Sequence, residues 1–363
     1  VLVLVGTTVL WIRHGGGALY PDLSTTPRLT SNALEEVLSY SEPIGNVAVS
    51  RSGRIFFTVH PEARPQGNIL LEYVAGAAVP YPSRTAQQDV LDTPLGVAID
   101  QFDRLWIIDH GNHGMRSARI VAIDLASDKI IRDQVLDKSI APLGSFLQDL
   151  QVSADGRTVV IADASFWRKS PAIIVYDVET GSARRVLESH TSVSGEKYMI
   201  RSLGREMEFM GGIVALRGGV DGIALGPDWL YYGALSGSGL YRVRLSDLRN
   251  QNLPSDQLAN RVQRFSDKPL SDGFSIDIRG NIYITAIEHG SVFVVGPDHA
   301  LATLIQSESI RWPDGLSFGP DGYLYIADSA LPELILQSRE HIEGAGPYRI
   351  FRFQSGVDGV PGQ

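Results

Sequence analysis

One recurrence restricts this chain more than anything else in it. An apolar stretch, a tight turn and a second apolar stretch appear six times on one template, most clearly at Ser271–Thr285 (SDGFSIDIRGNIYIT) and Pro313–Asp328 (PDGLSFGPDGYLYIAD). The first stretches begin at Gly45, Leu95, Gln148, Asp221, Asp272 and Asp314, which spaces the units by 50, 53, 73, 51 and 42 residues. Within each unit apolar and polar residues alternate with period two, and β-branched or aromatic side chains dominate, as in RIFFTV, RLWII and YLYIA. That pattern marks half-buried strands. A third apolar run follows every pair, from NILLEYV in the first unit to YRIFRF in the last.

Strand-only repeats of this length build propellers. The expected fold is therefore all-β: a six-bladed β-propeller of four-stranded antiparallel blades over residues 34–354. Leu34–Ser41 (LEEVLSYS) has no partner in the first unit. It is expected to complete the last blade, so that the ring closes and no sheet edge stays open. Two long excursions, Leu187–Gly219 and Ser329–Gly346, are expected to overhang one face, since loops this long in a compact fold usually carry function.

The flanks differ from the repeats. Val1–Ile12 (VLVLVGTTVLWI) is almost wholly apolar and is followed by Arg13, His14 and three glycines. A membrane span needs about 20 residues. Residues 1–14 are thus read as part of a membrane anchor or a partner-binding segment, with a buried strand as the alternative; residues 15–33 read as a linker and 355–363 as a tail. A net charge of -9 and the lack of any Lys/Arg run argue against nucleic acid as a partner. The absence of cysteine removes zinc–thiolate sites, disulfides and cysteine nucleophiles, and leaves both cytoplasm and periplasm open. No G-x-S-x-G elbow, H-E-x-x-H helix or phosphate-binding loop is present.

A propeller gathers its strand starts at one end of the central channel. Gln148, Asp221, Asp272 and Asp314 then face a common axis, where their carboxylates repel unless a cation or shared protons intervene. Oxygen-only donors suit Ca²⁺ above zinc or copper, which makes these four the candidate metal ligands. An Asp before Gly is also an ordinary turn signal, so a purely structural role stays open. The second strands return to the same face and bring His60, His110, Asp163, Glu288 and Asp328, with Asp149 and His289 beside their neighbours. Glu288 and His110 are candidate proton carriers, and Asp272, a further candidate catalytic residue, would with Asp314 polarise the substrate directly or through Ca²⁺. His60, Asp149, Asp163, His289 and Asp328 are candidate pocket residues, although Asp109, Asp163 and Asp328 also recur in the manner of turn caps.

Four segments carry a family likeness: GSFLQDLQVSADGRTVVIADAS from Gly144, GVDGIALG with WLYYGALSG from Gly219, LSDGFSIDIRGNIYIT followed by IEHG from Leu270, and RWPDGLSFGPDGYLYIADSAL from Arg311. In these segments, and in their order, the chain resembles the bacterial branch of the major royal jelly protein and Yellow family over about Ser41 to Phe353. The resemblance implies a six-bladed propeller related to gluconolactonase, regucalcin and other calcium-dependent lactonases. It also implies either dopachrome-type conversion, as in insect Yellow proteins, or a binding role without catalysis, as in royal jelly proteins. In the lactonase relatives a Glu of the first blade and Asn or Asp at strand starts hold the metal. Gln148, Asp221 and Asp272 match such starts, Asp314 stands in for one lost ligand, and Gly45 and Leu95 depart from the pattern.

Three functions follow as expectations. The first is an exported, membrane-tethered propeller on the periplasmic or extracellular face that binds a small molecule or partner over its channel. The second is a lactone hydrolase or tautomerase-like enzyme with Ca²⁺ on the axis. The third is a non-catalytic accessory subunit that joins a membrane protein complex through its N-terminal segment.

Overall fold

A computed structural model describes residues 2–363, with side chains from residue 8 onward. Six four-stranded antiparallel sheets surround one axis. Blade 1 runs through Ile44–Val49, Ile55–Val59, Leu70–Val74 and Ala77–Pro80. Blades 2 to 5 occupy residues 94–135, 147–186, 220–267 and 274–306. Blade 6 combines Pro313–Phe318, Tyr323–Asp328 and Tyr348–Gln354 with Glu35–Tyr40 from the other end of the chain. That N-terminal strand pairs antiparallel with Tyr348–Gln354, Tyr40 opposite Tyr348, and closes the ring as its unpartnered sequence implied.

The alternating pattern does its work between blades. Ala98 and Trp106 of blade 2 pack against Val152, Val159 and Ile161 of blade 3, and each such fully buried side chain stabilises the ring by about 1.5–3 kcal/mol. Innermost strands are buried throughout in blades 1, 2, 4 and 6, because both of their faces meet neighbours.

The flanking segments are built into this frame. Leu2–His14 forms an α-helix, not the buried strand held as the alternative, and its exposed side chains include Val9, Trp11 and Ile12. No helix among the described residues is long and apolar enough to cross a membrane. The stretch read as a linker is docked: Ala18–Leu19 pairs in parallel with Tyr198–Met199, Thr25 exchanges hydrogen bonds with Thr303, and Leu29 donates its N–H to Leu304. The tail is docked as well. Ile99 donates to the Gly362 carbonyl, Phe318 to the Gln363 carbonyl at 2.8 Å, and the Gln363 amide to Val152 at 2.9 Å. Ile99, Val152 and Phe318 lie at or near the far ends of the innermost strands of blades 2, 3 and 6, so the tail crosses the channel end opposite the strand starts.

Candidate functional site

Bulges create the site. Pairing slips at the mouth of the innermost strand in five blades: between Ile44 and Asn46, Pro94 and Val97, Leu147 and Leu150, Val220 and Ile223, and Pro313 and Leu316. A bulge leaves a residue unpaired and re-aims its side chain, here toward the axis. Glycine follows the start residue in four blades, and only glycine fits there. A Cβ on Gly222 would stand 2.2 Å from the Asp272 carbonyl oxygen, and one on Gly273 2.2 Å from that of Asp314. This close approach draws neighbouring starts together and packs their carboxylates.

Asp149, Asp221, Asp272 and Asp314 form the resulting acidic floor. Their interactions are uneven. Asp272 accepts a hydrogen bond from Trp312 Nε1 at 2.7 Å, and Asp149 accepts one from Asn46 Nδ2 at 2.8 Å. Both oxygens of Asp221 and Oδ2 of Asp314 are buried with no hydrogen-bond partner. Burial, and then repulsion from Asp272, holds Asp149, Asp221 and Asp314 well above the usual carboxylate range. Burial pushes Asp272 itself up to about 7, against the pull of the Trp312 bond and of Lys268. Lys268 is fully buried beside them, donates to Pro269 O and Ser271 Oγ, and is brought down to about 7 by that burial. His60 accepts the Glu62 N–H on Nδ1, so its neutral ring carries the proton on Nε2, 3.7 Å from Asp314 Oδ2. Burial lowers His60 to about 4.

Above this floor lies a cavity of about 150 Å³. His60, Gln148, Asp221 and Asp272 form its base, and the Glu62–His113 pair, 2.8 Å apart, stands on one side. Phe146, Phe166 and Trp167 make an aromatic wall. Phe209, Met210, Val214 and Leu216 come from the first excursion, and Leu331, Ile335 and Leu336 from the second, so both excursions do overhang one face. A space of this size accepts roughly one aromatic ring. Its walls are apolar while its base offers unpaired oxygens, chemistry suited to an apolar ring that carries hydrogen-bond donors.

The other predicted residues lie elsewhere, each for a visible reason. Asp163 and Asp328 cap turns: Asp163 accepts from Ser145 Oγ, Phe146 N, Ser165 N and Arg185 Nη1, and Asp328 from Arg311 N, Trp312 N and Arg311 Nε. Asp109 does the same for Thr93 and Gly111. None of the three lines the cavity. Glu288 accepts the Arg201 N–H at 2.7 Å and, with His289, borders an outer groove that Ser202, Leu203 and Gly204 of the first excursion also line. His289 faces Asp22 at 3.3 Å. His110 is buried edge-on against Phe146 and beside His113, with Nε2 unpartnered, and is not itself part of the cavity wall.

Four contributors are not marked by the repeat pattern. Asn46 fills the apparent gap in blade 1, one position after Gly45, because the bulge shifts which residue points inward. Glu62 and His113 belong to turns whose direction the repeat does not specify. Lys268 carried one signal, a lone cation three residues before the Ser271–Asp272 turn.

Calcium fits poorly as the residues are placed. Among the described residues no three or more Asp, Glu, His or Cys side chains converge to hold a metal ion. One oxygen each of Asp272 and Asp149 is already engaged, and the ammonium of Lys268 acts on Asp221 and Asp272.

A family model described as major royal jelly protein matches residues 93–338. Major royal jelly protein 3 of Apis mellifera is 31% identical over 218 residues, 56% of this chain and 38% of that protein. Major royal jelly protein 7 of the same organism is 29% identical over 201 residues, 51% of this chain and 42% of its own length. The matches thus span well under half of these relatives. Among solved structures, a Xanthomonas campestris gluconolactonase superposes with a TM-score of 0.55 at 14% identity, covering 94% of this chain and 98% of its own. A luciferin-regenerating enzyme gives 0.58 at 10%, covering 91% and 97%, and a calcium-binding regucalcin from Agrobacterium tumefaciens 0.55 at 14%, covering 90% and 96%. At such identities the likeness is one of fold.

Proposed function

Since the chain belongs to the major royal jelly protein family, whose propeller frame it shares with gluconolactonase-like structures, we propose that it binds a small cyclic or aromatic molecule in the capped axial cavity. The ligand carries an amine or hydroxyl group that donates to Asp221. The observation that carries this reading is the pair of buried, partnerless Asp221 oxygens beneath apolar walls, since a buried acceptor without a donor is costly unless a ligand or water supplies one. Trp167 lines the cavity and reports on its filling. Titration with catechol and indole amines should quench tryptophan fluorescence in the wild type and not in Asp221→Asn. Equal quenching in both would remove the reading.

A second reading, lactone hydrolysis or tautomerisation, is favoured by Asp272 alone. A carboxyl group held near 7 at the base of an apolar-walled cavity can donate a proton to a carbonyl or ring oxygen and later recover it. Turnover of a sugar lactone or an aminochrome that Asp272→Asn abolishes would establish it. Calcium is the rival occupant for the orphan oxygens of Asp221 and Asp314. A calcium-dependent rise in melting temperature, lost in Asp221→Asn, would favour it over the organic ligand.

The same proposal tethers the protein to the outer face of a membrane through the N-terminal helix, alone or within a larger membrane complex. Exposed Val9, Trp11 and Ile12 support it. Cell fractionation and native electrophoresis of the solubilised membrane test it: a freely soluble monomer in both would overturn it.

A further inference from the structure

A second cavity, of about 140 Å³, lies at the foot of the N-terminal helix, between Arg13, Lys169 and Arg217, with Ser165, Ser194 and Gly195 among the other residues that line it. No carboxylate lies within ion-pair distance of these three cations among the described residues, whereas Arg168 next door is matched by Glu188 at 2.7 Å. In a chain of net charge -9, three unmatched cations around one hollow need an explanation. Helix capping explains part of it: Arg217 Nη2 donates to the carbonyls of Arg13 and Gly15, at the negative end of the helix, both at 3.2 Å. Arg13 Nη2 donates to the Arg168 carbonyl, and Lys169 Nζ to that of Arg217 at 2.7 Å. These bonds use a minority of the available N–H groups. Nε of Arg217 is buried with no acceptor at all. Burial, then the nearby guanidinium groups of Arg217 and Arg13, brings Lys169 down to about 7.

We infer that this hollow is a phosphate-binding site, in which a phosphate monoester, a phosphodiester or inorganic phosphate accepts from Arg13, Lys169 and the unpartnered Arg217 Nε. Guanidinium groups suit tetrahedral oxyanions because their N–H forks match the spacing of two oxygens, and an ammonium adds a point charge. Exposed Trp11 and Ile12 sit within one helical turn of Arg13, so the phosphate can belong to a lipid headgroup whose chains lie along the helix, or be free in solution. The inference stands apart from the axial ligand, since the two cavities share only Ala164 in their linings.

The test uses the full chain, with inorganic phosphate followed by ³¹P NMR and thermal melting, and with sedimentation on phosphatidylglycerol against phosphatidylcholine vesicles. Phosphate should bind the wild type, and Lys169→Gln or Arg13→Gln should weaken it about 10- to 100-fold, the loss of one charge-assisted hydrogen bond. Arg13 is exposed, so its variant remains informative if Lys169→Gln fails to fold. A preference for phosphatidylglycerol that Arg13→Gln removes identifies a lipid headgroup. Phosphate binding without vesicle preference identifies a free anion. Failure of the wild type to bind either probe, or unchanged binding in Arg13→Gln, would overturn the inference.

Discussion

Two sets of buried aspartates occupy the same face of this propeller, and they do opposite things. At the rim, Asp109, Asp163 and Asp328 each accept at least three hydrogen bonds from backbone and side-chain donors. On the axis, Asp221 accepts none and Asp314 leaves Oδ2 unpaired. Blade 6 contains both kinds, Asp314 where its innermost strand begins and Asp328 where the next strand returns. A buried carboxylate that is fully hydrogen-bonded holds turns together, while one without partners costs stability until a donor is supplied to it.

Mutation should separate the sets sharply. The largest effect is expected at Asp163→Ala, which takes the buried partner from Arg185 and the acceptor from Ser145 Oγ and the Phe146 and Ser165 N–H groups, and should cost about 3–5 kcal/mol in urea unfolding without changing ligand affinity in the surviving folded protein. Next comes the pH dependence of Asp272. Its folded pKa near 7 lies above an unfolded value of about 3.9, so its contribution is complete below pH 4 and disappears as pH rises through 7. Stability should fall across that window with a slope of up to about 1.4 kcal/mol per pH unit. His60, lowered to about 4, and His110, to about 3, act in the other direction, with a contribution present above about 6.5 and lost as pH falls. The difference between wild type and Asp272→Asn isolates the aspartate, and a flat difference from pH 4 to 8 would break the comparison.

Asp221→Asn should stabilise the fold by about 1 kcal/mol at pH 8, because it removes a buried group that resists ionisation, while it abolishes binding in the axial cavity. Destabilisation instead would place Asp221 with the rim caps. The smallest effect is expected at Glu288→Gln. It faces an outer groove, so ligand affinity should stay within twofold, and a large loss would return it to the site.

The rim caps were legible in the sequence because an Asp at the end of a returning strand recurs in the same register, and recurrence reports local turn geometry. The floor was legible only in part. Register placed Asp221, Asp272 and Asp314 at one end of the axis, but it could not say that a bulge in blade 1 turns Asn46 inward in place of Gly45. Nor could it separate Glu288 from the cavity, since that depends on a hairpin from residues 201–206 that meets it through the Arg201 N–H.

The sequence by itself determined the number of blades, the strand that closes the ring and the side of the ring that bears the acids. Those properties rest on hydrophobic periodicity, which local chain chemistry enforces. Only the tertiary structure decided which acids keep free oxygens, that the tail crosses the far end of the channel, and that Arg13 meets Lys169 and Arg217. Hydrogen-bond satisfaction and charge balance are properties of neighbours distant in the chain, and no repeat pattern encodes who those neighbours are.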